Sequence, residues 1–182
     1  MSKDKLIVLD SPDGSGKSTL GEMLSTVLNV ELMHDGGPSE NREHAQERME
    51  AFLQDKNKIR DRSTIFSDPV YKAALGNEPL FTQDELDEYV VRAAEKGILL
   101  IYCRPSLDVL MRNTEFLARA KAHKPPEYAQ QVMQRLPAIV ENYDKSIIRW
   151  ASLGLSVINY DYTSAKTDEF CEIIRESYWT RP

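Results

Sequence analysis

The chain has 182 residues, 41% of them hydrophobic and 29% charged, with a net charge of −6 from 29 acidic and 23 basic side chains. That length suits a single domain, here residues 1–182, which buries roughly 70% of its unfolded surface without needing disulfides or a structural metal. The composition excludes long disorder, collagen and a coiled-coil rod. The acidic balance argues against non-specific DNA binding as the main activity and leaves room for a local basic patch.

The first apolar run, Leu6–Leu9, follows a charged start and reads as a strand, not a secretion leader. No apolar stretch approaches the ~18 residues of a membrane span. A Gly/Ser-rich turn comes next, then a helix over 17–28 with Leu20, Met23, Leu24, Val27 and Leu28 at helical spacing. Val30–Met33 reads as a second strand. Gly36-Gly37-Pro38 breaks the chain, and Ser39 is expected to cap a polar helix to Leu53. Lys58–Arg62 gives a third strand, charged for a buried position. Ser67 is expected to cap a short helix through Leu75, and Thr82 with Glu85 forms a capping box for a helix to Lys96.

Ile98–Cys103 is the clearest buried strand, and Ser106 caps a helix through Ala120 that Lys121–Pro126 ends. Tyr128, Val132, Leu136, Ile139, Tyr143, Ile147 and Trp150 make one long stripe, with Pro137 kinking or splitting the helix. Ser156–Tyr160 is the last strand, Ser164 reads as a cap, and a helix over 167–178 closes the fold. This alternation predicts an α/β protein with a mostly parallel sheet. Cys103 and Cys171 have no C-x-x-C spacing and read as buried thiols, and the three histidines lack metal-ligand spacing.

The strongest motif is Ser11-Pro12-Asp13-Gly14-Ser15-Gly16-Lys17-Ser18-Thr19, set between a strand and a helix. It meets the phosphate-loop pattern G-x-x-x-x-G-K-[ST] except at its first position, where Ser11 replaces glycine. Glycines let backbone N–H groups converge on phosphate oxygens, and the helix N-terminus adds the positive end of its dipole. Lys17 suits the β- and γ-phosphates of ATP, and the Ser18 hydroxyl suits Mg²⁺.

Residues Leu9 to Thr19 resemble the loop of thymidylate kinases, E-G-x-D-G-x-G-K-[ST]-T. Asp61-Arg62 with Ser67 and Tyr71 resembles that family's D-R-Y-x-x-S-x-x-A-Y motif, with one extra residue before the serine. Gly36-Gly37 resembles its P-G-G turn, and Ile101–Pro105 resembles the fourth strand and exit turn of small phage-type nucleotide kinases. The resemblance implies a P-loop kinase fold: a three-layer α/β/α sandwich with a five-stranded parallel sheet and a short lid, about residues 112–126. It implies that Asp13 touches the acceptor's sugar, that Arg62 holds its phosphate, and that Asp61 lies near the Mg²⁺ shell with Ser18. Gly36, Gly37, Ser67 and Tyr71 would line the acceptor pocket.

Some members of that family place a catalytic arginine inside the phosphate loop. None stands there here, so the resemblance implies a cation from elsewhere, and the basic segment 112–124 lies where such kinases carry their lid. Arg119 is the first candidate, with Arg112 and Lys121 behind it in a segment that equally reads as a solvated helix face. The loop Asn159–Lys166 would border the adenine. The leading expectation is Mg²⁺- and ATP-dependent phosphorylation of a (deoxy)nucleoside monophosphate such as dTMP, a small-molecule partner. The alternative is a hydroxyl acceptor on a nucleoside, a polynucleotide end or a modified base in DNA, with Asp13 or Asp61 as base. A switch or motor ATPase would need a strand ending Asp-Glu or an Asn-Lys-x-Asp, and neither occurs. The expected location is the cytoplasm, a host's if the chain is phage-encoded, and a homodimer is left open.

Overall fold

A computed structural model describes residues 4–35, 37–120 and 126–180. Side chains at 116–120, 126, 128 and 129 lie outside the described set. The elements run β1 (Leu6–Asp10), α1 (Lys17–Leu28), β2 (Glu31–His34), α2 (Arg42–Gln54), β3 (Lys58–Asp61), α3 (Ser67–Leu75), α4 (Gln83–Glu95), β4 (Leu99–Cys103), α5 (Leu107–Ala120), α6 (Pro126–Ser152), β5 (Ser156–Tyr160) and α7 (Thr167–Ile174). A π-helical turn, Arg175–Trp179, follows α7.

The five strands pair all-parallel in the order β2-β3-β1-β4-β5. Parallel strands need crossovers, and the helices that supply them cover both faces. Alternation along β1 sorts the core. Leu6 and Val8 join Leu100 and Tyr102 against α2, α3, α4 and α6. Ile7 and Leu9 join Ile59, Leu99, Ile101 and Cys103 against α1 and α7. The result is an α/β/α sandwich. Its central strand β1 has β3 on one side and β4 on the other, so the chain direction diverges at the carboxyl end of β1. In open parallel sheets that crevice is where ligands bind.

Most predicted elements stand, with local differences. Pro137 does not split α6, which runs on as one helix. Its stripe is core: Val132, Leu136, Ile139, Tyr143, Ile147 and Trp150 are all buried. Tyr128 belongs to that stripe in sequence, but its side chain lies outside the described residues. Asn41, not Ser39, caps α2, accepting from the His44 N–H at 2.8 Å. Ser39 is instead buried, its N–H donating to Asp68. Ser67 is the first residue of α3, after Phe66, and its side chain turns inward. Lys166 precedes α7, and Ser164 donates to the Asp161 carbonyl. The charged strand β3 is explained by Arg60, which pairs with Asp55 at 2.7 Å. Both cysteines are free and buried. Among the described residues no helix is long and apolar enough to cross a membrane.

The capping box of α4 is complete, with Thr82 and Glu85 bonding each other's N–H groups. Arg42 of α2 also grips Glu85, and these contacts hold the Glu85 carboxyl down at about 2 from an ordinary 4.5. A carboxylate lowered in the fold contributes stability above its unfolded pKa and loses it as the pH falls through its folded value. Thr82→Ala removes the side-chain cap on the Glu85 N–H and should cost about 1 kcal/mol. Glu85→Gln should flatten the stability profile between pH 4.5 and about 2, followed by urea unfolding across that window.

Candidate active site

The loop between β1 and α1 is shaped by two glycines in the left-handed region, Gly14 at φ 78° and Gly16 at φ 86°. Side chains there would be strained and crowded. A Cβ on Gly14 would lie 3.0 Å from Asn113 and Thr114 of α5, and one on Gly16 would lie 3.0 Å from the Tyr162 ring. Ser11, where the motif has glycine, does not require that conformation. Its hydroxyl pairs with that of Ser15 at 2.7 Å, so serine closes the loop internally. Lys17 opens α1, leaving the helix's first N–H groups at the mouth of the loop.

Two cations converge here. Lys17 is 6% exposed, and its Nζ donates to the Pro12 carbonyl at 3.1 Å. Burial and then the neighbouring Arg62 charge push its pKa down, against Asp13 and Asp61, which raise it. Arg62 follows β3 at φ 76°, a left-handed conformation that is costly for a side-chain residue. Its N–H donates to the Leu9 carbonyl at 2.8 Å. Its guanidinium donates to Asp13 at 2.8 Å and to the Tyr71 hydroxyl at 3.1 Å, and lies 4.9 Å from the Tyr71 ring centre. The same hydroxyl accepts from the Asp13 N–H at 3.1 Å. Asp13, Arg62 and Tyr71 thus form one cluster.

On the other side of Lys17, Ser18 Oγ donates to Asp61 at 2.8 Å, and His34 Nδ1 lies 3.3 Å from the same carboxylate. A hydroxyl and a carboxylate oxygen are hard donors that fit Mg²⁺, an ion that usually takes few protein ligands and completes its shell with phosphates and water. No group of three metal-binding side chains is found among the described residues.

The cleft over the loop has a volume of about 530 Å³ and is lined by Asp13 to Thr19, Asn113, Tyr160, Tyr162 and Thr167. Tyr160 and Tyr162 of the stretch 159–166 are among these lining residues. Arg112 is exposed on α5 and does not line the cleft. The Arg119 side chain, Gly36, Lys121, His123 and Lys124 lie outside the described residues. Gly37 is exposed, and its carbonyl accepts from Arg48 at 2.7 Å.

Sequence reasoning passed over Asp10. It is 1% exposed and accepts from Tyr143 at 2.6 Å, from Ser67 at 2.8 Å and from the Ser63 N–H at 3.1 Å. Burial raises its pKa, opposed by the charge of Arg62 and by those hydroxyls. It fastens β1, the segment after Arg62, α3 and α6 together beneath the loop. A carboxylate ending an apolar strand directly before the loop was the available signal.

No protein-family model matches the chain, and no curated protein matches it in sequence. Solved structures do match it over nearly its whole length. The YorR protein of Bacillus subtilis, in complex with phosphorylated GDP, superposes with a TM-score of 0.70 at 20% identity, covering 93% of this chain and 92% of that one. Deoxyadenosine kinase from M. mycoides with bound dCTP gives 0.59 at 16%, covering 94% and 99%. Thymidylate kinase from Candida albicans gives 0.58 at 14%, covering 97% and 93%. The chain has the P-loop kinase fold. The glycines and Lys17 lie in the loop that follows the first strand of that fold, and Arg62 bonds it from the end of β3.

The Asp10 junction makes a stability prediction. Tyr143→Phe removes one hydroxyl from a buried carboxylate at almost no change in volume. It should cost about 1–3 kcal/mol, read as a lower urea midpoint with an unchanged m-value.

Proposed function

We propose that this protein transfers the γ-phosphoryl group of ATP, with Mg²⁺, to a (deoxy)nucleoside monophosphate. The observation that carries this reading is the placing of two cations, buried Lys17 and half-buried Arg62, against the same loop. Lys17 faces the donor side of the loop, and Arg62 reaches it from the end of β3 through Asp13. Phosphoryl transfer is catalysed mainly by positioning and by stabilising charge on non-bridging oxygens. One cation for each of two phosphates meets that need.

Each residue has a role in this reading. The backbone of residues 14–18 cradles the donor phosphates, and Lys17 leaves the Pro12 carbonyl to bind them. Ser18 and Asp61 would hold Mg²⁺, which when bound neutralises charge on the phosphate oxygens. Arg62 exchanges Asp13 for the acceptor phosphate, and the freed Asp13 carboxylate turns to the acceptor's sugar. Tyr71 keeps the Arg62 guanidinium aimed through its ring and hydroxyl. A phosphate acceptor is already ionised at neutral pH, so no strong general base is required. Tyr160, Tyr162 and Thr167 border the donor's base.

A second reading keeps the donor side and takes a hydroxyl acceptor, on a nucleoside, a polynucleotide end or a base in DNA. The observation in its favour is Asp61, a mostly buried carboxylate beside the loop that could serve as base.

Measuring ADP release with dTMP, dGMP, dCMP, thymidine and DNA separates the two. Turnover with at least one free monophosphate is expected, and ADP release with thymidine or DNA alone would replace the first reading by the second. Arg62→Ala should lower kcat/KM for the acceptor by about 100-fold or more, while ATP binding changes little. Lys17→Ala should weaken both ATP binding and turnover.

A further inference from the structure

We infer that Asn113 and Thr114 of α5 are positioning residues that set the direction of the phosphate loop's N–H groups, although neither need touch a phosphate. The inference rests on reading the cleft as a triphosphate site.

Three successive peptide units of the loop are each held by a side chain outside them. In the first, between Pro12 and Asp13, the carbonyl accepts from Lys17 and the N–H donates to Tyr71. In the second, between Asp13 and Gly14, the carbonyl accepts from Thr114 Oγ1 at 3.1 Å. In the third, between Gly14 and Ser15, the carbonyl accepts from Asn113 Nδ2 at 2.8 Å. No described peptide bond is cis. In a trans peptide the C=O and N–H point in opposite directions. Holding the carbonyls of Asp13 and Gly14 against α5 therefore turns the N–H groups of Gly14 and Ser15 away from α5. Both residues line the cleft, so these donors are set for an anion there.

The clamp is itself held. The second hydrogen of the Asn113 amide has an acceptor in the Tyr162 hydroxyl, 2.7 Å away, which fixes the plane of the amide. Thr114 is 5% exposed, so its hydroxyl bonds the loop in a mostly water-free setting. Gly14 is pressed so closely on these two residues that a Cβ there would lie 3.0 Å from each. Preset N–H dipoles need not reorganise when the anion arrives, and that is where their binding strength comes from. Without the two side chains, the peptide units on either side of Gly14 can rotate, because a glycine joins them.

The test uses inorganic tripolyphosphate with Mg²⁺, a probe with no base or sugar, measured by calorimetry on the intact protein. Thr114→Val removes the donor at constant shape, Asn113→Ala removes the other, and Thr114→Ser restores the hydroxyl. Each of the first two should weaken tripolyphosphate binding about 5- to 10-fold, equivalent to one lost hydrogen bond. Thr114→Ser should bind within about twofold of the unaltered protein. The acceptor KM should change less than tripolyphosphate affinity in all three, since the Arg62 guanidinium is held by Asp13 and Tyr71. Equal tripolyphosphate affinity in all forms would overturn the inference and leave the proposed function standing. A parallel fall in melting temperature and tripolyphosphate affinity with an equal rise in acceptor KM would also overturn it, by showing a general structural role. No tripolyphosphate binding by the unaltered protein would overturn the reading of the cleft, and this inference with it.

Discussion

The pairing of Arg62 with Asp13 is the contact on which the site's architecture turns. An ionised group taken out of water needs a counter-charge or it destabilises the fold. Lys17 and Arg62 are both drawn into the carboxyl end of the sheet, where they repel each other. Asp13 on the loop, Asp61 on β3 and Asp10 beneath them supply the compensation. The arrangement holds its charges with replaceable partners: a protein carboxylate in one case and a backbone carbonyl in the other. In the function proposed above, a phosphate takes each of these places.

The sheet makes this possible. With β1 between β3 and β4, the phosphate loop and the Asp61-Arg62 pair leave adjacent strands at the same edge. Arg62 can then bond the Leu9 carbonyl through its N–H and Asp13 through its side chain. The left-handed backbone at Arg62 is sustained by Leu9 before it and by Asp10, which holds the N–H of the next residue, Ser63. Strain of this kind persists where surrounding contacts over-determine it, and it is concentrated at functional positions.

The five strands and the phosphate loop were legible because each rests on local pattern: apolar runs, glycines at fixed offsets, and a capping box. The α6 stripe was legible for the same reason, although Pro137 left open whether it was one helix or two. What the residues around the loop do for it was not legible. Asn113 and Thr114 lie about a hundred residues from Gly14, on a stretch that reads as an ordinary amphipathic helix. Their amide and hydroxyl acquire a role only when α5 docks. Tyr143 reads correctly as core, but periodicity describes its ring and not the hydroxyl that meets Asp10. Ser39 and Ser67 read as caps because sequence shows a small hydroxyl before a helix and not the tertiary partner that claims it, while Ser164 bonds locally to the Asp161 carbonyl. Asp68 occupies the Ser39 N–H, and Asp10 takes the Ser67 hydroxyl.

The most direct measurement is a crystal structure of the protein with Mg²⁺, ADP and a nucleoside monophosphate bound together. The account predicts ADP phosphates on the backbone of residues 14–18, the acceptor phosphate within hydrogen-bond distance of Arg62, and Asp13 released from Arg62 onto the acceptor's sugar. An acceptor bound elsewhere, with Arg62 still paired to Asp13, would contradict it.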